Sequence, residues 1–237
     1  IMETRYLDWD SQFFGFKTAR ILPAALEQAE LNRFLDNLRK QGTRLVYWGA
    51  RSEPPFDVIH LGGRLVDRKT TFEMELPAAI NHDTVSGISI LPYQSGPAEE
   101  ILFELALQAG EYSRFARDPQ FPREKFQALY REWMRKSLSG ELANAVLTAG
   151  NADQPLGMVT LSARGDQGEI GLIAVDAAAR GRHIGAALVR AAQVWYLERG
   201  LKRALVVTQG ENLPACRLYA KCGYNISEVE YLYHFWL

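Results

Sequence analysis

Hydrophobic and polar positions along the chain switch between a period near two and a period near 3.6, with glycine or proline at many of the changes. Residues 16–22 read as a strand. Over 24–41, Leu26, Ala29, Phe34, Leu35 and Leu38 form one apolar helical face, and Gly42 stops the helix. Residues 44–50 (RLVYWGA) are rich in strand formers. Pro54 and Pro55 precede a short helix expected at 56–61, Gly62-Gly63 ends it, and a long strand follows over 64–76. The polar stretch 77–86 holds no period and reads as a linker. A strand opens at Ile88, a helix covers 99–108, and Pro119 and Pro122 mark a loop. A further helix over 123–138 has Phe126, Leu129, Tyr130 and Trp133 on its apolar face.

Three strands with turns between them are expected at 141–148, 156–162 and 168–175. The third, EIGLIAV, alternates weakly, as a strand buried on both faces does. A helix over 183–199 carries Ile184, Leu188, Ala191 and Trp195 on one stripe. A strand at 204–208, a helix at 213–221 and an extended run at 224–236 complete the chain. The pattern is mixed α+β, with a mostly antiparallel sheet and flanking helices. It divides at the linker into 1–86 and 87–237. One echo crosses that division. Gly62 to Leu76 and Gly223 to Leu237 share a layout, and in register Phe72 meets Tyr233, Met74 meets Phe235 and Leu76 meets Leu237.

Composition narrows the function classes. The 237 residues are 47% hydrophobic and 23% charged, with a net charge of -1, so no overall basic field exists to hold nucleic acid or an anionic membrane. No apolar run approaches a membrane span. Cys216 and Cys222, with no Cys/His cluster beside them, read as reduced core thiols; the expectation is a cytoplasmic protein without a metal.

The strongest local feature is the run Ile173-Ala174-Val175-Asp176-Ala177-Ala178-Ala179-Arg180-Gly181-Arg182-His183-Ile184-Gly185-Ala186-Ala187. A buried strand gives way through an Arg/Gly loop to an amphipathic helix. That places free amides and the positive end of a helix dipole beside small residues, the chemistry of a pyrophosphate cradle. The same run also suits a charged helix cap without ligand. Neither GxxxxGK[ST] nor GxGxxG is present.

Arg180-Gly181-Arg182-His183-Ile184-Gly185 resembles the acetyl-CoA motif of the GNAT N-acetyltransferases, Arg/Gln-x-x-Gly-x-Gly/Ala, with His183 where that family usually has its first glycine. Asn212-Leu213-Pro214-Ala215-Cys216-Arg217-Leu218-Tyr219-Ala220-Lys221-Cys222-Gly223-Tyr224 is similar to the family's Asn-x-x-Ala-x-x-Leu-Tyr-x-Lys-x-Gly-Phe. The resemblance covers 88–237 and implies the GNAT fold and acetyl-CoA as cofactor. Ile173, Ala174, Val175, Arg180 to Ala186, Asn212, Ala215, Leu218 and Tyr219 then contact the cofactor. It further implies that Tyr219 protonates the departing thiolate, that an amide near Ala174 or Val175 holds the oxyanion, and that the amine attacks directly in a ternary complex. Glu169 opens the strand where some members carry a carboxylate base. From the residues alone, Tyr219 also suits a core position, Asn212 a helix cap and Glu169 a solvated strand end.

The acceptor signal lies elsewhere. Trp9-Asp10-Ser11-Gln12-Phe13-Phe14-Gly15-Phe16, Gly110-Glu111-Tyr112-Ser113-Arg114-Phe115 and the aromatic run 121–133 are similar to the dTDP-fucosamine acetyltransferase subgroup. That resemblance implies a reduced GNAT-like N-terminal half and a dTDP-linked 4-amino-4,6-dideoxy sugar as substrate. Arg114 suits a diphosphate and Tyr112 or Phe115 a base or sugar face, while the same residues also suit a loop packed under aromatic core side chains; a homodimer is a family-level expectation. Other small amines, a protein N-terminus, and an acyl-CoA-binding module without turnover remain alternatives.

Overall fold

The computed structural model describes residues 3–79 and 88–237; from residue 80 on, the expected linker lies outside the described residues. Ten strands form one sheet: β1 (Thr4–Tyr6), β2 (Thr18–Ile21), β3 (Leu45–Ala50), β4 (Gly63–Glu75), β5 (Ile90–Pro92), β6 (Ala145–Gly150), β7 (Pro155–Arg164), β8 (Gln167–Val175), β9 (Arg203–Gln209) and β10 (Asn225–Trp236). Seven helices flank it: α1 (Asp8–Phe14), α2 (Gln28–Lys40), α3 (Glu99–Ala109), α4 (Arg114–Arg117), α5 (Arg123–Leu138), α6 (Ile184–Leu197) and α7 (Leu213–Lys221).

The strand order is β1-β2-β3-β10-β4-β9-β8-β7-β6-β5. Only β2–β3 and β8–β9 run parallel. The expected α+β class and mostly antiparallel sheet are therefore observed. The last strand, β10, lies between β3 and β4, while β4 lies between β10 and β9. The two echoing segments are thus antiparallel partners, and each reaches into the other part of the chain. Phe72 and Met74 of β4, with Leu76 just beyond, join the core built around α6. Tyr233 and Phe235 of β10, with Leu237, join the core built around α2.

Local chemistry explains where boundaries moved. The second helix begins at Gln28 rather than at 24, because Glu27 and Glu30 close a capping box there. The strand expected from 141 begins at Ala145. The Asn144 side chain takes the Ala163 N–H at 2.8 Å, and Leu142 is left exposed. The helix expected at 56–61 shrinks to a 3-10 turn at Ile59–Leu61, where the Ile59 N–H donates to the Asp57 carboxylate at 2.9 Å. On α6, Ala191 and Trp195 are only partly buried, and the core face is instead Ile184, Leu188, Ala192 and Tyr196.

A β-bulge in β4 fixes a second consequence. Asp67 pairs with Leu232 and Leu65 with Tyr233, so Val66 is the extra residue. Two residues apart on a regular strand share a face; the insertion puts Leu65 against the α2 core and turns Asp67 to the other side.

Candidate active site

The β8–β9 ladder runs from Gln167↔Arg203 to Ile170↔Val206 and stops, although β8 continues to Val175 and β9 to Gln209. A gap opens between two parallel strands. Residues 171–175 keep β7 on one side, and the Thr160 hydroxyl takes the Leu172 N–H at 2.7 Å. Alternate amides on the other edge have no partner strand. A cavity of about 800 Å³ passes through this gap. It is lined by Gly171 to Val175, by Val207 to Gln209, and by the starts of α6 and α7.

Beyond β8 the chain is tightly held. Asp176 accepts the Ala178 N–H at 2.9 Å, and Gln108 of α3 binds both Asp176 and the Ala177 amide. Gly181 takes φ 79 and His183 φ 60 before α6 begins. Among the described residues, His183 alone adopts a positive φ without being glycine. The departure from the family motif therefore keeps the left-handed backbone and accepts its strain. A Cβ at Gly181 meets nothing within 4 Å, whereas one at Gly185 meets Leu218 at 3.2 Å. Gly181 leaves room for ligand; Gly185 lets α6 and α7 approach.

The sequence-derived cofactor residues Ile173, Ala174, Val175, Arg180, Gly181, His183, Ile184, Gly185, Ala186, Asn212, Ala215, Leu218 and Tyr219 all line this cavity. Arg182 does not; it is exposed beyond the rim. The Arg180 Nε donates to the Val175 carbonyl at 3.3 Å, and its guanidinium lies 3.8 Å from Glu111. Arg217 and Lys221 of α7 add two cations to the cavity; both stand in the second motif, but neither was expected to contact the cofactor. Asn212 caps α7 by accepting the Ala215 N–H at 3.2 Å. Tyr219 is 2% exposed and packs its ring against Phe72 and Tyr224. Burial pushes its hydroxyl well above the usual tyrosine range, helped by Tyr224.

The same cavity reaches Tyr112, Arg114 and Phe115, joining the expected acceptor residues to the cofactor end. It does not include Glu169, which pairs with Ser162 and Leu205 in the first half of β8. Six strand positions, roughly 20 Å, separate it from Val175. In its place the bulged strand brings Asp67 into the cavity, with Lys69 beside it and Arg20 and Glu230 from neighbouring strands. Asp67 is 9% exposed and its Oδ1 has no hydrogen-bond partner. Burial lifts its pKa to about 7, against the opposing pull of Arg114 and Lys69. Asp67 sits among Arg64, Arg68 and Lys69 in a strand that also carries Glu73 and Glu75, so the sequence offered no signal that singled it out; which face it takes depends on the bulge.

Behind the acceptor end, Asp118 accepts from Trp236 Nε1 at 2.8 Å and bonds His234 Nδ1 at 2.7 Å. Burial, only partly opposed by that bond, holds His234 near 4. His234 stacks on Tyr47 at 4.9 Å between ring centroids.

The family model for the acetyltransferase (GNAT) family matches residues 106–224, half of the chain. The chain belongs to the GNAT acetyltransferase family. The matched span holds α6, α7 and the gap between β8 and β9. Among curated proteins, the chain is 28% identical to dTDP-fucosamine acetyltransferase of Escherichia coli O6:H1, covering 95% of this chain and 94% of that protein. It is 27% identical to the spore coat polysaccharide biosynthesis protein SpsD of Bacillus subtilis over 69% of this chain. That alignment spans only 56% of SpsD. Among solved structures, a GCN5-related N-acetyltransferase from Sphaerobacter thermophilus shares the fold at TM-score 0.60 and 19% identity, covering 98% of this chain and 75% of that one. GNAT enzymes use acetyl-CoA. No helix among the described residues is long and apolar enough to cross a membrane.

Proposed function

We propose that this chain transfers an acetyl group from acetyl-CoA to the amine of a nucleotide-linked 4-amino-4,6-dideoxy sugar. The observation that carries the reading is the single cavity. It joins the loop that opens α6, Tyr219 and the buried Asp67 along one continuous cavity. The amides opening α6, the open space over Gly181 and the cations Arg180, Arg217 and Lys221 suit a CoA diphosphate. The unpaired edge of β8 suits the amides of a pantetheine arm. When bound, acetyl-CoA supplies the acyl group as a thioester.

The chain's own groups then have complementary tasks. Asp67, with a pKa of about 7, takes the proton that the attacking amine must lose. An amide on the free edge of β8 near Ala174 holds the negative charge that develops on the acyl oxygen. Tyr219 keeps its proton throughout the neutral range and gives it to the leaving sulfur. The amide and a free thiol result, with both protons accounted for. Tyr112, partly buried on the cavity wall, offers an aromatic face to base or sugar, whereas Phe115 is packed into the aromatic core with Phe14, Phe121 and Trp133.

A free-thiol release assay with a panel of amines tests this. The highest kcat/KM is expected for a dTDP-linked 4-amino-4,6-dideoxy sugar. Equal or faster turnover of a polyamine or a peptide N-terminus replaces the acceptor assignment, and no thiol release with any amine removes the enzyme assignment.

A further inference from the structure

Arg20 leaves β2 in register with Tyr47 of β3, and Tyr47 is in register with His234 of β10. The three side chains therefore share one face of the sheet. The Arg20 guanidinium lies 6.0 Å from the centroid of the Tyr47 ring, and that of Arg114 lies 4.1 Å from it. Two full positive charges thus rest against one buried tyrosine, within about a Debye length of each other. The ring is held on its other neighbour, His234, which Asp118 fixes in turn. Phe115 stands 4.6 Å from the Arg114 guanidinium.

Among the described residues, neither guanidinium makes an ion pair or donates a side-chain hydrogen bond. Two arginines with ten N–H donors between them seldom stand idle in a half-buried site. The carboxylates of the cavity do not balance them. Glu230 is taken by Lys69 at 3.2 Å, and Asp67 is half protonated near neutrality. Burial and the proximity of Arg114 both disfavour the charge on Arg20. This end of the cavity therefore holds an excess of positive charge on planar forks, and Arg20 and Arg114 are both among its lining residues.

We propose that Arg20 and Arg114, laid against Tyr47, form a clamp for the diphosphate of the acceptor. A sugar-linked nucleoside diphosphate carries two negative charges on adjacent phosphoryl groups, which matches two guanidinium forks in number and in charge. The clamp rests on the nucleotide-sugar reading above, and it fixes where along the cavity that acceptor is held. Tyr47 and His234 act as positioning residues: their stacking sets the plane on which the guanidiniums lie.

Titration calorimetry on the full chain tests the clamp without turnover. With the cofactor site saturated by CoA, inorganic pyrophosphate and dTDP should each bind once. Arg20→Gln and Arg114→Gln should each weaken pyrophosphate at least tenfold, and the double variant should remove measurable binding, while the affinity for CoA changes less than twofold. Arg114→Lys, which keeps the charge but loses the planar fork, should recover only part of the loss. Absence of pyrophosphate binding to the CoA-saturated wild type overturns the clamp, as does equal binding by the double variant. Failure of acetyl transfer to an amino sugar, with pyrophosphate binding and its arginine dependence intact, overturns the activity and leaves the clamp standing.

Discussion

At the scale of single residues, two groups with opposite proposed tasks have been moved in the same direction by burial. Asp67 is lifted to about 7, which suits a base working near neutral pH. Tyr219 is lifted above its ordinary range, which suits an acid that must not ionise early. The cost of the first is visible in stability. Between about pH 4 and 7 the folded chain holds a proton on Asp67 that the unfolded chain has released, so stability falls as pH rises through that window. Asp67→Asn should lower kcat by roughly 10²–10⁴. Its Tm should exceed that of the wild type at pH 8, and the gap should close as pH falls to about 4. Tyr219→Phe should lower kcat at least tenfold with the Kd for acetyl-CoA nearly unchanged. Parallel loss of both would assign the ring to packing alone.

At the scale of elements, the start of α6 is a junction of three constraints: the left-handed His183, the open Gly181 and the close approach of Leu218 to Gly185. A large side chain at Gly185 would damage α6–α7 packing as well as ligand binding, so Ala186 is the cleaner probe. Ala186 is half-buried and lines the cavity in the first turn of the helix. A carboxylate there favours the helix dipole while opposing a diphosphate. Ala186→Glu should leave Tm within about 2 °C of the wild type and weaken CoA at least a hundredfold by calorimetry. The motif at the start of α6 was legible in the sequence because its spacing is local. Element ends were less so, because side-chain hydrogen bonds such as those of Asn144 before β6 and Glu27 before α2 compete with the hydrophobic period.

At the scale of the whole molecule, the exchange of β4 and β10 ties the cores together. Phe72 and Tyr233 each insert into the core of the other part of the chain, and a fully buried side chain of this kind stabilises by roughly 1.5–3 kcal/mol. Loss of one exchanged strand removes several such contacts from a domain whose net stability is about 5–15 kcal/mol. Residues 88–237 expressed alone should therefore lack cooperative unfolding by calorimetry, and co-expression with 1–79 should restore it. The buried His234–Asp118 pair, joining β10 to the segment after α4, makes a second global test. His234 stays neutral in the folded chain down to about 4, whereas an unfolded histidine protonates below about 6.5. The contribution of this pair is complete above 6.5 and is lost as pH falls toward 4, opposite in sign to that of Asp67. His234→Gln, which keeps a donor for Asp118, should remove this contribution and leave Tm falling with rising pH across that window, as Asp67 alone dictates.

What the sequence determined by itself was whatever depends on neighbours along the chain. The β8–loop–α6 cradle, the α7 helix with Asn212 and Tyr219, and the mixed α+β pattern all rest on spacings of a few residues, and these were readable. Arg20, Asp67 and Glu230 were decided only by tertiary structure. Strands far apart in sequence had to lie side by side, and one bulged residue had to turn Asp67 from the core to the cavity. Glu169 shows the converse: it lies on the right strand, yet that strand carries it away from the gap. A strand's period fixes which side chains share a face, but pairing and register fix what that face looks upon.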